Sequence, residues 1–183
     1  MAPPTGSPTT FKLTAFSLTI DSPLGLLTVT SAGGAIVALD WGRLGEDRPD
    51  PVLEEAARQL RDYFAGTRLD FDLPLAPRGT AFRQKVWAAM LAIPYGGVLT
   101  YGDVARMLES APRAVGGACG ANPIPVIIPC HRIVGGGGSP GGYSGLGGLR
   151  TKDWLLRHER RHRAADGRVT AGKAGDTLEL QLL

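Results

Sequence analysis

The chain has 183 residues, 43% hydrophobic and 20% charged. At about 150 residues per domain this is one domain or two small ones, with enough apolar side chain to offset the entropy of folding. A mainly disordered chain is excluded, and no apolar run approaches the roughly 18 residues a membrane-spanning helix needs. The start, Met1 to Thr10, has neither the basic end nor the apolar core of a secretory signal, so a loose tail over residues 1–10 and a cytoplasmic location are expected. Two cysteines, Cys119 and Cys130, cannot staple a fold; with three histidines and no Cys-x-x-Cys pair they are too few for a zinc ribbon or finger. No metal is expected, and cysteine chemistry here means thiol chemistry.

Charge is uneven. Residues 1–80 hold seven Lys and Arg against ten Asp and Glu, whereas residues 81–183 hold thirteen against seven. A basic C-terminal half fits contact with a polyanion, although a solvated surface gives the same count.

Alternating apolar residues at Phe16, Leu18 and Ile20, at Leu27 and Val29, and at Ile36, Val37 and Leu39 predict three strands of an antiparallel meander, broken by Ser22-Pro23 and Gly33-Gly34. A helix follows, with Asp50 as N-cap, Pro51 in the first turn, Gly66 past the end, and a stripe of Leu53, Ala56, Ala57, Leu60, Tyr63 and Phe64. These elements make a small α+β domain over 11–77, closed by the proline-punctuated stretch 71–77. From 78 to 160 the period is helical. Phe82, Val86, Trp87, Met90 and Leu91 form one stripe, and Thr100 with Asp103 resembles a capping box opening a short helix. A small-residue helix then runs from Pro112 towards Asn122. Two short helices joined by a turn match a helix-turn-helix, where small side chains let backbone approach a duplex; tight helix packing explains them equally. The run Val134–Gly148 is either a mobile loop or a wall brought close to a ligand. A last helix starts at Thr151, and 161–183 reads as a C-terminal tail.

Cys130 follows an apolar, strand-like segment and precedes His131 and Arg132. Neighbouring cations favour a thiolate, so a reactive thiol competes here with a buried structural one. Cys119 has no titratable base nearby in sequence and reads as structural. A deaminase zinc site would need a second cysteine at position 133, which is Ile133. A papain-like pair could use His158, but no local signature of that family surrounds Cys130.

Pro129-Cys130-His131-Arg132-Ile133-Val134 resembles the acceptor-cysteine signature of the O6-alkylguanine-DNA alkyltransferases. Phe82 to Trp87, Ile93-Pro94, Thr100-Tyr101, Arg113 to Ala118, Asn122-Pro123, Gly142-Tyr143 and Lys152 to Leu156 match the same family in order. The resemblance spans about residues 15–160, with a slightly longer linker from Tyr143 to Lys152. It implies a ribonuclease H-like N-terminal domain and a winged helix-turn-helix-like C-terminal domain. Cys130 would take the alkyl group from guanine O6 irreversibly, once per molecule. His131 would be its base through a water, Glu159 would orient His131, and Asn122 would hold the active-site turn. Tyr101 would donate towards N3 of the extruded base. Arg113 would fill the gap in the stack, with Ala114, Gly116 and Gly117 on the DNA-facing helix. Ile133, Tyr143 and Ser144 would wall the guanine pocket, supported by Lys152. The implied partner is double-stranded DNA carrying O6-alkylguanine, with O4-alkylthymine left open; no cofactor, membrane or second subunit is implied. Two other readings stay open: a non-catalytic lesion binder or regulator, and a multiple-turnover thiol hydrolase.

Overall fold

The computed structural model describes residues 14–165. Ala15–Ile20 (β1), Leu27–Ala32 (β2) and Ala35–Trp41 (β3) form an antiparallel sheet in the order β1-β2-β3, with Leu18 opposite Val29 and Val29 opposite Leu39. Alternation turns Leu27 and Val29 inward on β2, and a bulge on β3 opposite Thr30 and Ser31 lets both Ile36 and Leu39 face inward, against Pro51–Phe64 (α1), which buries Leu53, Ala56, Ala57, Leu60 and Tyr63. The α1 start is built as expected. Pro51 stands in the first turn and the Asp50 carboxylate accepts from Leu53 N–H at 2.9 Å. The same carboxylate accepts from the hydroxyl of Ser31, which is buried on β2, so the cap also ties helix to sheet.

The stretch 71–77 is extended and lies along β3. Ile36 N–H donates to the Pro74 carbonyl and Ala76 N–H to the Ile36 carbonyl, both at 2.8 Å, while the buried Gln59 amide brackets the Asp72 backbone.

Beyond it, Thr80 caps Ala81–Leu91 (α2), which buries Val86, Trp87, Ala89 and Met90. Leu91 departs from the expected stripe and is exposed, because Ala89 rather than Leu91 completes the inward face. Leu99–Thr100 (β4) leads into Tyr101–Met107 (α3), opened by a complete capping box of Thr100 and Asp103. Pro112–Gly120 (α4) packs on α3 across a short turn, and its buried side, Val115, Ala118 and Cys119, also meets α2. There the Trp87 indole donates to the Ala118 carbonyl at 2.9 Å. One side of α4 packs, while Ala114, Gly117 and Gly120 are exposed.

Residues 123–129, expected to be strand-like, form turns, because prolines at 123, 125 and 129 remove donors from any ladder. A 3-10 turn, Cys130–Arg132, follows, and Ile133–Val134 (β5) pairs in parallel with β4. Leu149–Ala165 (α5) begins two residues before Thr151 and runs through residues 161–165, which the sequence reading assigned to the tail. The expected loose tail at 1–10 and the remainder from 166 lie outside the described residues, within which no helix is long and apolar enough to cross a membrane.

Replacing Asp50 by Ala removes the α1 cap and orphans a buried hydroxyl. A loss of about 1–2 kcal/mol in urea unfolding is expected.

Candidate active site

The turns before Cys130 are held in an unusual shape. Val126 has φ of 73°, a left-handed conformation that costs a β-branched residue about 1–3 kcal/mol. Asn122 compensates from both ends of the turn: its amide donates to the Ile128 carbonyl at 2.8 Å and its oxygen accepts from Ile124 N–H at 3.0 Å. Leu39 of β3 donates to the Pro123 carbonyl at 2.9 Å, so the N-terminal sheet braces the same turn. Cys130 N–H then donates to the Ile128 carbonyl at 2.8 Å, which places the thiol at the head of the 3-10 turn.

Cys130 is only 6% exposed, and what it exposes faces a cleft of about 580 Å³. Tyr101, Arg113, Gly116, Cys119, Tyr143 and Ser144 are among the residues lining it. The sequence expectations for Tyr101, Arg113, Gly116, Tyr143 and Ser144 thus converge on one space. Ala114 and Gly117 are on the exposed face of α4, outside that lining. Ile133, expected as a wall, is fully buried and does not line the cleft; its contribution is a carbonyl that accepts from Lys152 Nζ. Cys119, expected to be merely structural, lines the cleft. Burial there raises its thiol to about 12. The glycine-rich run does form a wall: Gly141 has φ of 65°, and a Cβ there would come within 2.7 Å of the Tyr101 ring. The Tyr101 hydroxyl donates to the Gly142 carbonyl at 3.2 Å.

Behind Cys130 lies a buried cluster. Glu159 is fully buried and its carboxylate accepts from four groups: Tyr63 Oη at 2.9 Å, Gly96 N–H at 2.9 Å, His131 Nε2 at 2.7 Å, and the Arg132 guanidinium at 3.0–3.2 Å. Arg132 also donates to the Ile93 carbonyl at 2.6 Å. Burial pushes the Glu159 carboxyl up, but the His131 and Arg132 bonds outweigh it and hold the group well below the usual carboxylate range. An ionised carboxylate only accepts, so His131 carries its proton on Nε2 and presents an unprotonated Nδ1, which is buried and has no partner within the structure. Burial holds His131 below its ordinary value, against the pull of Glu159, so the imidazole is neutral.

The thiol differs from its sequence expectation. Arg132 does not lower its pKa, because the guanidinium turns away to Glu159. Burial raises Cys130, opposed in part by the Asn122 amide, the Lys152 charge and the Tyr143 hydroxyl. The resting site is therefore a neutral thiol beside a neutral imidazole, not a standing thiolate.

His158-Glu-Arg-Arg-His162 has the His-Glu-x-x-His spacing of zinc proteases, a pattern the sequence reading overlooked. Here His158 Nε2 donates to the Tyr63 carbonyl at 2.8 Å and His162 Nδ1 to the His158 carbonyl at 2.8 Å, while Glu159 is saturated. His158 also stacks on Trp154, so it is no base for Cys130. Among the described residues no cluster of three metal-ligating side chains occurs.

Glu159→Gln leaves Arg132 buried and unpaired, and a loss of about 3–5 kcal/mol is expected in denaturant unfolding. Because the Glu159 carboxyl is depressed, its contribution is present above the ordinary value of 4.5 and fades as pH falls below it; the variant lacks that acid-side loss.

Residues 16–77 match the family described as 6-O-methylguanine DNA methyltransferase, ribonuclease-like domain, and residues 81–161 match its DNA binding domain. The methylated-DNA–protein-cysteine methyltransferase of Mycobacterium tuberculosis H37Rv is 42% identical over 160 residues, covering 81% of this chain and 94% of that one. The constitutive methylated-DNA–protein-cysteine methyltransferase of Bacillus subtilis is 40% identical over 155 residues, covering 78% and 93%. The crystal structure of Mycobacterium tuberculosis OGT in complex with DNA superposes with a TM-score of 0.71 at 43% identity, covering 79% of this chain and 92% of that one. With a matching ribonuclease-like half, a matching DNA-binding half and relatives 40–42% identical over most of their length, the chain belongs to the 6-O-methylguanine DNA methyltransferase family.

Proposed function

We propose that this protein repairs DNA by moving the alkyl group of an O6-alkylated guanine onto the Cys130 sulfur, irreversibly and once per molecule. The observation that carries this reading is Cys130 at the back of a cleft with room for an extruded purine, next in sequence to an imidazole held by a carboxylate. In the reaction the Cys130 S–H bond breaks and its proton passes, through a water, to His131 Nδ1. The sulfur pair attacks the alkyl carbon, the carbon–O6 bond breaks, and that electron pair stays on the purine. Tyr101, kept protonated by burial, donates towards N3 of the leaving guanine and steadies its charge. The product is a thioether, and the protein offers no group to reverse it.

Cys130 is too deep to reach a base inside a duplex, so the damaged nucleotide must leave the stack, at a cost of a few kcal/mol. Arg113, exposed at the cleft on α4, is placed to fill the gap. Gly117 and Gly120 carry no close contact that demands glycine: an added Cβ meets nothing within 4 Å. Their small size therefore leaves room for an outside partner, and close approach of a DNA backbone supplies the reason. A relative solved with DNA and the basic C-terminal half support the same partner. The site is complete within one chain, which suits a monomer, and the acceptor must stay reduced, which suits the cytoplasm.

Incubation with duplex carrying O6-methylguanine is expected to leave one methyl on the Cys130 peptide by mass spectrometry. Cys130→Ser abolishes transfer and Cys119→Ser retains it. A methyl on Cys119, repeated turnover, or lesion binding with both thiols intact would overturn this reading.

The internal proton transfer also sets the pH dependence. Between the His131 and Cys130 ionisations the pair carries the same number of protons, so the single-turnover rate is flat around neutral pH. It falls only below the ordinary histidine value of 6.5, since burial lowers His131. Rapid-quench measurement across that range checks it; a fall beginning above pH 7, the neutral point, would contradict a neutral resting imidazole.

A further inference from the structure

Lys152 is a buried charge that the chemistry above leaves unused. Its side chain is 0% exposed, yet among the described residues no carboxylate lies within ion-pairing distance of its ammonium. The ammonium donates to the Ile133 and Gly142 carbonyls, the latter at 3.2 Å, and stands 5.7 Å from the centre of the Tyr101 ring. Carbonyl dipoles and an aromatic face solvate a cation in part but leave its full charge in place. The other buried cation of the site, Arg132, is neutralised by Glu159.

The placement of Lys152 is specific. Ile133 N–H donates to the Cys130 carbonyl, so one lysine acceptor belongs to the turn that carries the thiol. The other, Gly142, lines the same cleft as Cys130. The titratable groups facing Lys152 are Tyr101 from α3, Cys119 from α4, and Cys130 and His131 from the 3-10 turn. On its own helix the neighbouring Asp153 is exposed and pairs with Arg157. Every facing group is neutral at rest, and passing the Cys130 proton to His131 leaves the new negative charge on the sulfur, on the turn that Lys152 holds.

We propose that Lys152 is a positioning residue of the transfer reaction, whose buried ammonium stabilises the Cys130 thiolate as the proton leaves for His131. The inference rests on Cys130 being the acceptor. It explains why a cation is kept where an apolar side chain would pack at lower cost. The coupling runs both ways: burial lowers Lys152, opposed in part by Cys130 and Cys119, and burial raises Cys130, opposed in part by Lys152. The two carbonyl bonds also strap the glycine-rich wall to β5, and a purely structural strap would leave thiol ionisation unchanged.

The test uses the full chain with Cys119→Ser, so that Cys130 is the only thiol, and follows thiolate formation by ultraviolet absorbance against pH. Lys152→Gln keeps N–H donors without charge and is expected to raise the thiolate midpoint by about one pH unit or more. It should also slow methyl transfer from duplex about tenfold, the fold-change of one unit. Lys152→Arg, which keeps the charge, should leave the midpoint near the parent value. Should Lys152→Gln not fold by circular dichroism, Lys152→Met, which keeps the buried stem, reads the same midpoint. An unchanged midpoint in a folded neutral variant overturns the proposal. Because the titration needs no DNA, a Lys152-dependent midpoint in a protein that transfers no methyl would count against the repair reading alone.

Discussion

The structure turns on one buried carboxylate. Glu159 has no solvent to share its charge with, and an ion so placed is tolerable only if its acceptor sites are filled by donors of good geometry. Tyr63 comes from α1 of the N-terminal domain, Gly96 from the turn after α2, and His131 and Arg132 from the turn at Cys130. Satisfying Glu159 therefore fixes these segments relative to α5, and the domains meet where the chemistry is prepared. Arg132 cancels the charge, Tyr63 and Gly96 complete the shell, and His131 is left with its proton on the nitrogen away from the open lone pair.

This gives the N-terminal domain a part in the chemistry beyond bulk. It supplies the Tyr63 hydroxyl to Glu159 and the Tyr63 carbonyl to His158, and β3 holds the Pro123 carbonyl at the start of the strained turn. That turn carries a left-handed valine, which persists because Asn122 bonds across it and the sheet braces it. Strain at Val126 and a closed hydrogen-bond shell at Glu159 serve the same end: both hold Cys130 at the back of the cleft with few alternatives. Burial keeps the Cys130 thiol neutral at rest.

Much of this was legible in the sequence because it depends on local rules. Asp50-Pro51 and Thr100 with Asp103 announce helix starts through bonds that span three residues, and the strand alternation names the buried face. The Pro-Cys-His-Arg run and its matching partners draw attention to Cys130, His131, Glu159, Asn122 and Tyr101, of which His131 and Glu159 share a hydrogen bond and Tyr101 and Cys130 line one cleft. What escaped is set by side-chain direction and by distant partners. Arg132 is adjacent to His131 in sequence but serves Glu159 rather than the thiol, and Ile133 lends its carbonyl to Lys152 while its side chain goes to the core. Cys119 reaches the cleft on the side of α4 that also presents Gly116 and Gly120, a direction that a run of alanines and glycines does not encode. The His-Glu-x-x-His spacing gathers no third metal-ligating side chain among the described residues, and its glutamate is committed to His131 and Arg132.

The central claim is a neutral His131 locked in one tautomer by Glu159, and nitrogen-15 NMR of the imidazole tests it most directly. At neutral pH the account predicts a protonated Nε2 and an unprotonated Nδ1, unchanged well into the acid range. A proton on Nδ1, or an imidazolium at neutral pH, would contradict it.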